Sequence, residues 1–186
     1  MDRLNQTLAP TCRANMTNHL HTYRRLGLGL ALLASQAMAQ NTVDNPDWVE
    51  EKAPPPPAYS LEHLIPIDMP RYVSIAVGVD PATITVGMDG IVRYVVVMTN
   101  STGSTNAAYE GIRCVTDEVK TYARMGSSNT WSLVADPQWK AVNDNMPSRH
   151  AQAIARQGAC DARLATSPAE IINRLQKRLK SIMREW

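Results

Sequence analysis

Three cysteines and four histidines are the natural places to look for chemistry in this chain of 186 residues. Cys114 stands inside the run Tyr-Glu-Gly-Ile-Arg-Cys-Val-Thr (109–116); the other two cysteines are Cys12 and Cys160. Four roles are open to Cys114: nucleophile, metal ligand, half of a disulfide, or a small apolar core residue. A zinc site needs about four N, S or O ligands, usually in closely spaced pairs. His63 and His150 lie far apart in the sequence, and no short spacing joins either to a cysteine. A cysteine–histidine pair can assemble in space, but no local pattern marks one. The chain has no phosphate-binding glycine loop, no Gly-x-Ser-x-Gly elbow and no His-Glu-x-x-His. No cofactor, metal site or catalytic residue is therefore expected. The carboxylates leave one catalytic alternative, a hydrolase built on Glu110 and Asp117 with Tyr122.

The compartment decides between the cysteine roles. Residues 24–39 read RRLGLGLALLASQAMA: two arginines, a short apolar run, then small residues at the third and first positions before Gln40. That is the pattern of a secretory signal peptide. Cleavage is expected between Ala39 and Gln40. The apolar run falls short of the roughly 20 residues that span a bilayer. Met16 is an alternative start to Met1, and Arg24-Arg25 gives weak support for a twin-arginine route. No cysteine stands near Ala39 to accept a lipid, so the expected product is exported and soluble. Removing residues 1–39 takes away Arg3, Arg13, Arg24, Arg25 and Asp2. The 19 basic and 17 acidic residues then become 15 and 16, and a formal +2 becomes −1. A nucleic-acid partner has no electrostatic support at that balance.

Export also removes Cys12. Cys114 and Cys160 then remain in an oxidising compartment, where two cysteines allow one pairing. They are read as a disulfide, with two buried free thiols as the alternative. The bond would close a loop of about 46 residues, for which chain entropy gives about 4 kcal/mol.

The elements that would position these residues follow from periodicity. Residues 40–66 are polar and then proline-rich, with Pro54–Pro57 favouring an extended polyproline II arm. Trp48 and Tyr59 flank that run and can pin it to the rest of the protein. From residue 67 onward a single domain is expected. Val73, Ile75, Val77 and Val79 alternate on one strand face, and Ile84 and Val86 on the next. Asp89-Gly90 marks a hairpin whose two turn positions want positive φ. IVRYVVVM is apolar on both faces except at Arg93, which suits a central strand. Residues 100–106 read as a flexible loop. In VKTYARM, strict alternation puts Lys120, Tyr122 and Arg124 on one side. Residues 126–129 read as a turn before a last short strand, WSLVAD.

Residues 148–158 suit a short helix closed by Gly158. Ser167, Pro168 and Glu170 form the start signal of a longer one of about 17 residues. Its apolar stripe is Ile171, Leu175, Leu179, Ile182 and Trp186; Arg174, Lys177, Arg178, Lys180 and Arg184 fill the other faces. Packing on the sheet is favoured over a peripheral membrane contact. The expected class is α+β: an antiparallel sheet of five to six strands with one or two C-terminal helices on one side.

The segments IDMPRY, VGMDGIVRYVVV, YEGIRC and TYAR, followed by a tryptophan, resemble the cryptic neisserial protein-like family of small exported proteins. The resemblance runs from about Trp48 to about Cys160, and YEGIRC carries most of it. It implies a periplasmic protein with no established activity. Many members are thought to be lipoproteins, a feature that AMAQ does not support here. Two functions remain. One is a non-catalytic envelope module that binds a partner through Tyr109, Glu110 and Arg113 with the loop at 100–106. The other is the hydrolase named above. On a regular strand Glu110 and Arg113 face opposite ways, and their expected roles are a solvent-facing charge and a cross-strand ion pair.

Overall fold

The computed structural model describes residues 45, 47–126, 128–143 and 149–184. All of them belong to one compact unit, Asp44–Trp186. The leader, the cleavage point at Ala39 and Gln40, the first residues of the arm, and Trp186 lie outside the described residues.

The sheet grows outward from the valine-rich run. Ile91–Thr99 forms β4, buried from Ile91 to Val97, because both of its faces carry apolar side chains. Thr105–Arg113 (β5) and Glu118–Met125 (β6) continue on one side as antiparallel neighbours. On the other side lie Ala76–Val79 (β2) and then Ile65–Ile67 (β1), with Thr85–Val86 (β3) also paired to β4. Trp131–Leu133 (β7) and Lys140–Ala141 (β8) both pair with β6. The order is β1-β2-β4-β5-β6-β7, giving an eight-stranded antiparallel sheet with β3 and β8 off that path.

The sheet is thus larger than the five to six strands expected. β1 and β8 account for the difference. β1 is only three residues long with Pro66 at its centre, a residue tolerated at a sheet edge but hostile to a strand pattern. It also carries the domain back across the expected boundary at residues 66 and 67. β8 has two residues and no period to read.

Three local devices depart from regular alternation. In the Gly87–Gly90 turn only Gly90 takes positive φ (75°), so Asp89 keeps an ordinary backbone and its side chain is free for other work. A register shift follows Tyr109: Tyr109 pairs with Ala123 and Glu110 with Thr121. Tyr122 is the extra residue of a bulge. Lys120 and Tyr122 therefore share a face while Arg124 turns to the other, which corrects the expected grouping of all three. The loop after β4 is organised by Asn100, whose Oδ1 accepts from Thr102 N, Thr102 Oγ1 and Ser104 N at 3.0, 2.7 and 2.9 Å.

Each sheet face has its own cover. One face packs Val92, Tyr94, Val96, Ala108, Ile112 and Cys114 under the C-terminal helices. These are His150–Ile154 (α1), continued by a π turn over Ala155–Ala159, and Pro168–Arg184 (α2). A short antiparallel pair, Cys160–Asp161 (β9) and Leu164–Ala165 (β10), joins them. α2 begins as its start signal implies, with Ser167 Oγ accepting from Glu170 N at 3.3 Å. Ile171 and Leu175 of its stripe enter the core. The opposite face holds Val95, Val97, Ala107, Tyr109, Tyr122, Ala123 and Met125, covered by Ala53, Tyr59 and Leu64 of the proline-rich arm and by Trp131.

Candidate functional site

YEGIRC supplies the second half of β5 and the residue after it. The alternation of a strand sends its side chains to the two sheet faces in turn. Tyr109 goes to the arm side, is only 2% exposed, and packs against Tyr122 with ring centroids 5.4 Å apart. Glu110 goes to the helix side and is equally buried. Neither belongs to an exposed surface, so the expected binding face of Tyr109, Glu110 and Arg113 is not assembled. Glu110 is not the solvent-facing charge that strand position alone suggested.

Glu110 meets His150 at the start of α1, with Oε2 2.8 Å from His150 Nε2. Tyr94 Oη donates to Oε2 at 3.3 Å and Thr121 Oγ1 to Oε1 at 3.2 Å. Burial alone would raise the carboxyl pKa. The His150 charge and these hydrogen bonds outweigh it and hold Glu110 below the ordinary carboxylate value. For His150, burial pulls the pKa down, but Glu110 beside it wins and raises it above the ordinary imidazole value, against a small opposing push from Arg124. Both shifts favour the charged pair.

Arg113 points to the arm side. Its guanidinium lies 3.7 Å above the ring of Trp48, and Nη1 is 3.9 Å from Glu118 on the neighbouring strand. Trp48 in turn sets its edge on Trp139, with centroids 6.2 Å apart, and donates Nε1–H to the Asp89 carbonyl at 2.8 Å. Next to it, Glu50 accepts from Lys120 Nζ, Tyr122 Oη and Trp139 Nε1 at 2.5, 3.0 and 3.1 Å. Asp89 accepts from Arg93 at 2.6 Å and from the backbone N–H of Glu51 and Ile91, so the β3–β4 turn also grips the arm. Desolvation of Asp89 is overcome by these donors, and its pKa falls below the ordinary value.

Cys114 is bonded to Cys160, with Cα atoms 5.6 Å apart. Cys114 is buried, and Cys160 partly so, at the end of the π turn. Arg163 Nε donates to the Val115 carbonyl at 2.9 Å, a second tie between the same segments.

The residues of the hydrolase alternative do not converge. Glu110 lies on the helix side and Tyr122 on the arm side. Asp117 sits in the exposed turn after β5, at φ 55°. Among the described residues no group of three or more His, Cys, Asp or Glu is arranged to hold a metal ion. No helix among them is long and apolar enough to cross a membrane. Sequence reasoning missed the partnership of Glu110 with His150 and the grip of Glu50 on β6, since both join segments distant in the chain. The one available hint was Glu110 itself, a carboxylate set between Ala107-Ala108-Tyr109 and Gly111-Ile112 in β5.

These features define a disulfide-stapled α+β domain whose central sheet carries helices on one face and a proline-rich strap on the other. The chain belongs to the CNP1-like family, whose model matches residues 43–176. No curated protein and no solved structure matches it.

Proposed function

We propose that the protein is an exported periplasmic module of the cell envelope that acts by binding or by structural support rather than by catalysis. The observation that carries this reading is the bond between Cys114 and Cys160. Disulfides persist in oxidising compartments, and the leader-like segment 24–39 supplies the route there. The non-catalytic part is supported by the way YEGIRC is used. Its charged and aromatic side chains are engaged in holding the layers together, and the residues of the hydrolase reading do not converge: Glu110 is buried beneath α1, Asp117 lies in the turn after β5 and Tyr122 is on the arm side. That alternative draws no support from the geometry.

The test uses protein from a periplasmic fraction. Intact mass after alkylation without reductant should show two masked thiols, and N-terminal sequencing should begin at Gln40. Free thiols at both positions, or retention of residues 1–39 in the cytoplasm, would overturn the export reading. Crosslinking in the native periplasm should recover a protein partner of defined stoichiometry. Hydrolytic activity in the purified chain that tracks Glu110 would overturn the non-catalytic reading.

A further inference from the structure

A cleft of about 520 Å³ opens between the loop after β1 and the C-terminal helices. Three arginines from separate places in the chain line it: Arg149 at the start of α1, Arg156 in the π turn and Arg178 in α2. Asp68 is the one carboxylate among the described residues that line it.

The cleft wall is tied in place. Gln157 Oε1 accepts from Asp68 N at 2.9 Å, and Gln157 Nε2 donates to the Asp68 carbonyl at 2.8 Å. The π turn and the loop after β1 are thereby clamped together. Arg149 holds a left-handed backbone at φ 50° and ψ 23°, a conformation that costs a non-glycine residue energy and persists only where the surroundings impose it.

Arg156 and Arg178 contrast with their neighbour on α2. Arg174, one turn earlier on α2, is paired twice, to Asp161 at 2.9 Å and to Glu170 at 2.8 Å. Among the described residues Arg156 and Arg178 form no ion pair and are exposed to solvent. Lys177 and Lys180 are exposed on the same helix and add to the positive field at close range. Guanidinium groups offer a planar fork of donors that fits phosphate and carboxylate oxygens.

We infer that this cleft is a binding site for a phosphate-bearing ligand, held chiefly by Arg156 and Arg178 with Arg149 beside them. Arg156 and Arg178 bring two positive charges against the roughly −1.5 to −2 of a phosphomonoester near neutral pH. The volume falls in the range of small-molecule sites, about 300–1,000 Å³, so it accommodates more than an isolated ion. The phosphate can belong to a soluble molecule or to a lipid headgroup. The inference stands independently of the compartment.

Two probes distinguish the sources. Pyrophosphate is titrated at low salt into the isotope-labelled protein and followed by amide and arginine Nε–H chemical shifts. Vesicles of phosphatidylglycerol, with phosphatidylcholine as the control, are used for co-sedimentation. The variants are R156Q/R178Q, in which both side chains are exposed, and K140Q on the far strand β8. Shifts clustered around Arg156, Gln157 and Arg178, weakened at least tenfold in R156Q/R178Q but not in K140Q, support a soluble phosphate ligand. Sedimentation with anionic vesicles alone, lost in the same double variant, supports a headgroup. D68N should tighten either interaction. Absence of binding to both probes overturns the inference, as does binding that R156Q/R178Q leaves unchanged.

Discussion

Glu110 and Arg113 stand three residues apart on β5 and fasten opposite layers of the protein. Glu110 reaches His150 under the helices at 2.8 Å, and Arg113 lies 3.7 Å over Trp48 of the proline-rich arm. With Cys114 bonded to Cys160, one strand holds both covers of the sheet. A sequence run that looked like a recognition surface is a fastening strand.

The first prediction concerns the staple. The C114S/C160S variant should lose about 4 kcal/mol, the chain-entropy value for a closed loop of this size. Urea unfolding of wild type and variant should show that loss, and reductant should bring the wild type towards the variant. A midpoint unmoved by reductant would argue against a stabilising bond.

Breaking the buried ion pair should be costly from one side only. E110Q removes the carboxylate that faces the His150 charge beneath α1 and should destabilise by about 3–5 kcal/mol. The double variant E110Q/H150Q should cost less than the sum of the two single changes, because residues in contact couple. Denaturant midpoints of the four proteins form the required cycle; simple additivity would deny the coupling.

The same pair sets a pH window. Glu110 has a lowered pKa, so its contribution is present above the ordinary value near 4.3 and is lost as pH falls through the lowered one. His150 has a raised pKa, so its contribution is full below about 6.5 and is lost as pH rises through the raised one. The stability difference between wild type and E110Q/H150Q should therefore peak between about pH 4.3 and 6.5 and shrink on both sides. A difference that stays flat from pH 4 to 9 would contradict the assignment.

The arm is held by aromatic and cationic contacts that a single change removes. W48A deletes the Arg113 stacking, the edge contact to Trp139 and the hydrogen bond to Asp89. It should cost about 1–3 kcal/mol. Protease cleavage within residues 49–58 should accelerate while the sheet amides keep their hydrogen-exchange protection. Equal loss of protection in arm and sheet would show that the two unfold as one unit.

Gly158 tests the close approach of the two helices. A Cβ there would lie 2.8 Å from Arg174 Cβ and 3.0 Å from the Leu175 amide nitrogen. One of those neighbours is backbone and cannot rotate away, so G158A should destabilise by about 1–3 kcal/mol. Its crystal structure should show α2 displaced; an unmoved helix at wild-type stability would refute the packing argument.

The parts of this architecture legible in the sequence are those with local causes. β4 declared itself by valines on both faces, α2 by Ser167-Pro168 and its apolar stripe, and the hairpin by Asp89-Gly90. The Cys114–Cys160 pairing followed from counting cysteines once Cys12 was assigned to a leader. Tertiary constraints were hidden. Nothing near Tyr122 announces a bulge, yet it reverses the face of Arg124. Pro66 concealed β1, because a proline in a three-residue edge strand leaves no alternation to detect. Burial of Glu110 depends on a histidine from a helix far along the chain, and no spacing rule connects the two.

The disulfide also has a mechanical meaning. Tension applied through the arm and through α2 cannot lengthen the chain between residues 114 and 160, because the covalent bond carries the load past that segment. The Trp48–Arg113 contact and the Glu50 cluster lie on the N-terminal side of the load path and would yield first. Pulling from the N-terminal end would therefore peel the strap before β4 or β5 is stretched, while β6, inside the closed loop, carries none of the load.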